Sequence, residues 1–450
     1  MDTTSAPITR EAPQPVQSTE RVVLLDVIRG FALGGVFFSN VFLWFNGRFL
    51  QPPAFWQSYK DEGIGIALTW VFRNLVFGRF ITIFSFLFGL GIAVQFMRAE
   101  NHEDSSALRY TRRALAMILI GVLHLTLVWY GDIMHVYALL GFGLLLFRRT
   151  STKTLVITGA LLTFFAPLLA QWGENFLPRL WTTAEAMKQH QEATQAQFAA
   201  TNATLLSLLK SSSYVDIVKG NVLTYWHHFA RLHVIGFYLG LLGNFLLGLA
   251  AGRVNLFANV DKYRRLFRHL LGWGLLGGIL GGVGMMILRN AGPGKQYFAT
   301  NETIVPLLLP PVREFQTLTV AMFYVAAIAL LFQRSFGQRL LSIYAPVGRM
   351  AVTNYLSQSV IALFVFTGIG LGKMGAVSPF WVALMPACVF AVQMVLSWLW
   401  LKRFSYGPVE WFWRSMTYGK LLPIKKSRDA VAAPADEPSG EAIVVGSGSV

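Results

Sequence analysis

The chain predicts an all-α polytopic membrane protein of about ten transmembrane helices, and three observations predict it. Of its 450 residues, 54% are hydrophobic and 13% are charged, whereas a soluble protein carries about 25% charged residues. The mean hydropathy over the whole chain is +0.50. Ten apolar stretches recur along it, each able to cross about 30 Å of hydrocarbon as a helix.

Taken in order, residues 1–20 are rich in Pro, Thr, Ser and Gln and read as a disordered arm. The first span, 22–45, is VVLLDVIRGFALGGVFFSNVFLWF. It is too long, and too polar at its core, for a cleavable signal peptide, and is read as retained. The second, 78–97, opens on Arg79, and Gly78, Gly89 and Gly91 allow close helix approach there. The third and fourth, 114–131 and 132–148, are short and nearly continuous across Gly131. A fifth, 154–171, completes an N-terminal membrane half over 21–171.

Residues 172–231 are polar and rich in helix formers, as in AEAMKQHQEATQAQFAATNATLLSLLK. They are expected to form helices capping the outer face, or a solvated spacer. Where the chain re-enters, TYWHHFARLHVIGF places His227, His228 and His233 with Tyr225 and Trp226 in an aromatic belt. His228 and His233 are five apart, which does not place metal ligands on one helix face. Spans at 232–251, 267–288, 314–333, 350–370 and 379–402 form a C-terminal half over 232–426. Asn244, Asn354 and Gln358 read as interhelical hydrogen-bonding groups. Residues 407–420 suit a helix in the inner interface, with Trp411 and Trp413 as anchors and Glu410 spaced to pair with Arg414. Residues 427–450 read as a disordered tail. No internal repeat is evident, which weighs against an inverted-repeat transporter.

Charge orients the chain. The net charge is +16. The loops 98–113, 149–153, 252–266 and 334–349 and the C-terminal segment collect Lys and Arg, so both termini are expected in the cytoplasm. The excess then faces anionic lipid, and the bilayer, rather than nucleic acid, is the expected partner. Cys388 is the only cysteine, so no disulfide forms within the chain. Oligomeric state is not legible.

Ionisable groups inside spans cost about 2.5–3.5 kcal/mol each at mid-span on insertion scales, and they mark pairs, wet cavities or chemistry. Asp26 and Arg29 share a helix face near the inner end of the first span. They read as a site for a phosphate or carboxylate, or as a structural lock. Asp132 and His135 share a face near the outer end of the fourth span. An Asp beside a His holds the imidazole's tautomer and raises its basicity, which is a general-base arrangement. His124, in the preceding span, can face the same cavity across the Gly131 turn; the other reading is a polar cluster that fixes the hairpin. Metal binding is not expected at any of these groups.

The stretches LDVIRGFALGGVFFSN, FITIFSFLFGLGIA and GDIMHVYALLG resemble the N-terminal half of the YeiB family of bacterial membrane proteins. GRMAVTNYLSQSVI and FSYGPVEWFWRSMTYGK resemble its C-terminal domain, domain of unknown function 418. The likeness covers about 21–421 and implies a multi-pass protein of the bacterial cytoplasmic (inner) membrane. It also implies kinship with transmembrane acyltransferases, including heparan-glucosaminide N-acetyltransferase and sugar O-acyltransferases. These move an acyl group from cytosolic acyl-CoA to a glycan or other acceptor beyond the membrane. Their shared signature is matched by Leu25, Asp26, Arg29 and Gly30. The O-acyltransferases' histidine falls at Asn40 here, and no histidine lies between Asn40 and His102, so the relatives' catalytic histidine does not carry over.

The expectation is therefore a transmembrane acyltransferase with no bound cofactor and acyl-CoA as cosubstrate, its acceptor a glycan or small molecule. His135, Asp132 and His124 would be catalytic, and Arg29, Asp26, Asn40 and Arg79 would bind substrate, with Asn40 donating to the oxyanion. A solute transporter or permease, or a non-catalytic scaffold, are the alternatives.

Overall fold

The computed structural model describes residues 22–51, 63–100, 106–177, 183–229, 232–291 and 305–426. The expected N-terminal arm and C-terminal tail lie outside the described residues. The fold is helical, with one isolated β-bridge between Phe404 and Lys425 among the described residues.

The helices are α1 (Val23–Asn40), α2 (Ile64–Val71), α3 (Arg79–Glu100), α4 (Ser106–Leu127), α5 (Met134–Gly143) and α6 (Thr152–Phe176). The polar segment follows as α7 (Ala184–Leu209) and α8 (Tyr214–Phe229). Then come α9 (Leu232–Arg253), α10 (Arg264–Ala291), α11 (Val305–Phe332), α12 (Ser335–Leu341), α13 (Ala345–Arg349), α14 (Ala351–Phe366), α15 (Pro379–Arg403) and α16 (Pro408–Tyr418).

Eight helical segments among the described residues are long and apolar enough to cross a membrane. The two others expected to do so are shorter. Met134–Phe147 and Ala351–Phe366 are apolar helices of fewer than 18 residues; at 1.5 Å per residue they reach about 21 and 24 Å, short of a full hydrocarbon core. The second span also begins earlier than expected, at Ile64. Within it, a π-helical turn over Phe72–Val76 ends α2. The chain then bends at Gly78, whose φ of +83° suits a residue without a Cβ, before α3 starts. Another π-helical turn, Val41–Phe45, extends α1.

Close backbone contact organises the packing. α3 lies against α9: a Cβ on Gly89 would come within 2.0 Å of the Phe245 carbonyl oxygen, so the expected tight approach is real there. Gly91 has nothing within 4 Å of such a Cβ and does not contribute. The amides expected to bridge helices do so. Asn354 Nδ2 donates to Ser397 Oγ at 3.0 Å, Gln358 Nε2 to Gln393 Oε1 at 2.8 Å, and Thr163 Oγ1 to Asn244 Oδ1 at 3.5 Å.

The polar segment caps the bundle. α8 crosses the C-terminal end of α4, where Tyr214 donates its hydroxyl to the Leu127 carbonyl at 2.7 Å and Asn221 its amide to Thr126 at 3.3 Å. These are carbonyls that a helix end leaves without intrahelical partners.

Candidate functional site

The turn 128–133 between α4 and α5 centres a buried polar cluster on Asp132. Asp132 lies in that turn rather than within a span, and it caps α5. Its Oδ2 accepts from the first-turn amides of Met134 at 2.9 Å and His135 at 3.3 Å. The N-cap itself is Ile133, whose side chain makes no such bond, so the carboxylate one residue earlier satisfies amides the helix cannot.

The same carboxylate holds two imidazoles. His124 Nδ1 lies 2.9 Å from Oδ1, and His135 Nδ1 lies 2.9 Å from Oδ2. The Asp132 side chain is 0% exposed and the His124 side chain 3%. A carboxylate can only accept, so each Nδ1 donates, and Nε2 becomes the acceptor of each neutral ring. Close approach permits this. A Cβ on Gly121 of α4 would come within 2.5 Å of the His135 amide nitrogen and 2.9 Å of Asp132 Oδ2.

The two Nε2 atoms differ. His135 Nε2 sits 2.9 Å from the Tyr225 hydroxyl on α8 and accepts its proton. His124 Nε2 is buried without a hydrogen-bond partner among the described residues. Its ring neighbours Tyr355 of α14, with centroids 5.4 Å apart, and Trp129, at 6.3 Å. The Trp129 indole nitrogen is likewise buried without a partner among the described residues, and the Tyr355 hydroxyl, also buried, faces Asp132 and the Ile133 backbone without a close hydrogen bond. One basic nitrogen and two potential donors thus belong to the His124 ring and its two ring neighbours. Of the two imidazoles held by Asp132, His124 is the one whose Nε2 keeps no partner among the described residues.

The other expected site residues lie elsewhere. Arg29 Nη1 donates to Asp26 Oδ1 at 2.9 Å near the start of α1. Arg29 acts electrostatically on Arg113, which lies near the opposite end of α4 from His124. Eleven residues of helix separate Arg113 from His124, about 16 Å, so the Asp26–Arg29 and Asp132–His pairs are two separate sites. The contacts also account for the glycine of the LD-x-x-RG signature. A Cβ on Gly30 would come within 2.1 Å of the Tyr344 carbonyl oxygen, and one on Gly348 within 1.9 Å of the Asp26 carbonyl oxygen. The motif docks α1 onto α13. Asn40 is the half-buried last residue of α1, and no hydrogen bond ties it to the Asp132 cluster among the described residues. Arg79, 1% exposed, opens α3 at the bend, and its Nη1 donates to the Phe77 carbonyl.

Tyr225 and Tyr355 are the site residues that sequence reasoning missed. Tyr225 sits in an interfacial-looking aromatic run and Tyr355 in an ordinary apolar helix; neither position carries a signal of its own. The rest of the expected aromatic belt is mixed. Trp226 is exposed, whereas His228 is buried and lies 3.1 Å from Asn202 Oδ1, and His233 is held by Glu174 at 2.8 Å. Among the described residues no group of three or more His, Cys, Asp or Glu could hold a metal ion.

The fold and this site define a polytopic helical membrane protein with a buried His–Asp–His network near one end of its bundle. Residues 251–420 match the family described as "Protein of unknown function (DUF418)". Similarity extends over most of the chain to "Uncharacterized protein YxaH" of Bacillus subtilis (strain 168), 33% identical over 426 residues, 92% of this chain and 98% of the relative. "Uncharacterized protein YeiB" of Escherichia coli (strain K12) is 25% identical over 443 residues, 88% of this chain and 96% of the relative. An "Uncharacterized 39.9 kDa protein in amylase 3'region" of Bacillus acidopullulyticus is 25% identical over 428 residues, 92% and 99%. The chain belongs to this DUF418 family, alongside YxaH and YeiB.

Proposed function

We propose that the protein is a membrane-embedded acyltransferase whose general base is His124. The observation that carries this is the pairing of a buried, unbonded His124 Nε2 with an Asp132 carboxylate on the ring's other nitrogen. That is the arrangement of an oriented base. In this reading Nε2 takes the proton of an acceptor hydroxyl or amine as that atom attacks the carbonyl carbon of an acyl thioester. The new C–O or C–N bond forms, the C–S bond breaks, and the imidazolium returns its proton to the leaving thiolate. The Tyr355 hydroxyl and Trp129 indole N–H are the donors suited to the oxyanion, a role the sequence had suggested for Asn40. His135, tied to both Asp132 and Tyr225, is a positioning residue that holds the carboxylate in register.

The donor in this proposal is acyl-CoA supplied from the cytoplasm of a bacterial cell, and the acceptor a glycan or small molecule on the far side of the inner membrane. The test is acyl-CoA-dependent release of free thiol by the protein in liposomes, with pooled glycan acceptors. Wild type is expected to release thiol, and His124→Ala to lose about 100-fold or more of that rate. Wild type that transfers no acyl group from short or long donors would sink the reading.

A transport reading has one specific observation in its favour. The second apolar segment is broken at Gly78, with the buried Arg79 beside the break, and discontinuous helices often frame solute sites. It predicts solute-dependent flux that Arg79→Gln abolishes while thiol release stays at background.

A further inference from the structure

Toward the end of α4 remote from His124, Arg113 lies over Trp413 of α16, the helix that also carries Arg414, and within electrostatic reach of Arg414 and of Arg29 of α1. Among the described residues, the groups whose charges act on Arg113 are Arg414, Tyr418, Tyr110 and Arg29, and none of these is a carboxylate. The nearby acids are committed. Asp26 pairs with Arg29 at 2.9 Å. Glu410, the only acid of α16, accepts from the amides of Val352 at 2.7 Å and Thr353 at 3.1 Å at the start of α14. Neither guanidinium has an ion-pair partner among the described residues, and each lies over a ring, Arg113 over Trp413 at 4.1 Å and Arg414 over Tyr406 at 4.8 Å. A guanidinium held over a ring by cation–π attraction keeps N–H donors for an acceptor. The platform is itself braced, since the Trp413 indole donates to the Arg113 carbonyl at 2.9 Å. A small cavity of about 20 Å³ adjoins Arg113 and Trp413 and is continued by Met117 and Ala138, on the helices that carry His124 and His135.

Like charges gathered at the edge of a low-dielectric bundle repel and are poorly solvated, so the cluster is stabilised by an anion. Arginine edges recognise the oxygens of a phosphate bidentately. We propose that Arg113, Arg414 and Arg29 form a binding site for a phosphate-bearing ligand. The phosphate has two possible sources, the nucleotide end of an acyl-CoA or the headgroup of an anionic lipid. The site stands on its own geometry; only its use as a donor site rests on the acyltransferase reading. In that case the roughly 16 Å of α4 between Arg113 and His124 is the distance the donor's arm must bridge.

The experiment is equilibrium binding to the full-length protein in detergent, with coenzyme A as one probe and dioleoylphosphatidylglycerol as the other. Phosphatidylcholine, zwitterionic with no net charge, serves as the control for headgroup charge. Wild type is expected to bind one probe saturably, and Arg113→Gln and Arg414→Gln each to weaken that binding about tenfold or more. Arg414 is half-buried on a short surface helix, so its variant keeps the test open if Arg113→Gln does not fold. Coenzyme A binding that is lost in both variants supports a donor-phosphate site. Phosphatidylglycerol binding alone, lost in the same variants, supports the phosphate site as a lipid site and detaches it from catalysis. No saturable binding of either probe, or binding equal in wild type and Arg414→Gln, overturns the proposal. His124→Ala is expected to bind as wild type does, so loss of acyl transfer and loss of the phosphate site are separable.

Discussion

Asp132 does three jobs with two oxygens: it caps α5, orients His124 and orients His135. Removing it strands two buried imidazoles and two amides. Asp132→Ala is therefore expected to lower unfolding stability by about 3–5 kcal/mol, read as a large fall in the thermal midpoint in detergent. A fall of a degree or less would contradict the bonding described. Glu410, outside the spans, makes a second prediction. Burial pushes its pKa above the ordinary carboxylate range, against the hydrogen bonds from Thr353 and the nearby amides, which pull it down. A folded-state pKa above the unfolded one means stability is fully present below the unfolded value and is lost as pH rises through the folded one. Glu410→Gln, which cannot titrate, is expected to gain on wild type in thermal midpoint as pH rises through and above the ordinary carboxylate range. A difference that is flat or reversed across that range would count against a raised pKa.

At the level of elements, much was legible and the remainder depended on long-range contact. Asp132 and His135 are one helical turn apart, so their pairing follows from spacing alone. His124 is also near in sequence, across a short turn, and its membership was readable. Which of the two keeps an unbonded Nε2 was not. It depends on Tyr225, 90 residues away, which occupies one Nε2 and leaves the other open. The short apolar runs at Met134–Phe147 and Ala351–Phe366 were found in the right places, but composition does not measure whether a helix reaches the full hydrocarbon thickness. Glu410 and Arg414 have pairing distance in sequence, yet the carboxylate turns to the exposed amides at the start of α14, because a helix N-terminus offers two fixed donors. Two glycines test the packing. Gly348→Ala would drive a Cβ to 1.9 Å from the Asp26 carbonyl oxygen, and Gly121→Ala would set one 2.5 Å from the His135 amide. Each is expected to cost about 1–3 kcal/mol by overpacking, with Gly121→Ala also disturbing the Asp132 network. Unchanged melting in both would contradict the close contacts.

On the scale of the molecule, the two halves meet at both candidate sites. The N-terminal half supplies Asp132, His124, His135, Arg29 and Arg113. The DUF418 domain supplies Tyr355 and Arg414, and it receives α1 through Gly348. The capping helix α8 completes the first site with Tyr225. Neither half holds a whole site, which gives a physical reason for the two halves to work as one unit. The central claim is that His124, rather than His135, is the base. The most direct measurement is the rate of labelled acetyl transfer from acetyl-CoA by folded wild type, His124→Ala and His135→Ala, reconstituted side by side. The account predicts loss of about 100-fold or more in His124→Ala and a smaller loss in His135→Ala. Transfer that survives His124→Ala but vanishes in His135→Ala would contradict it.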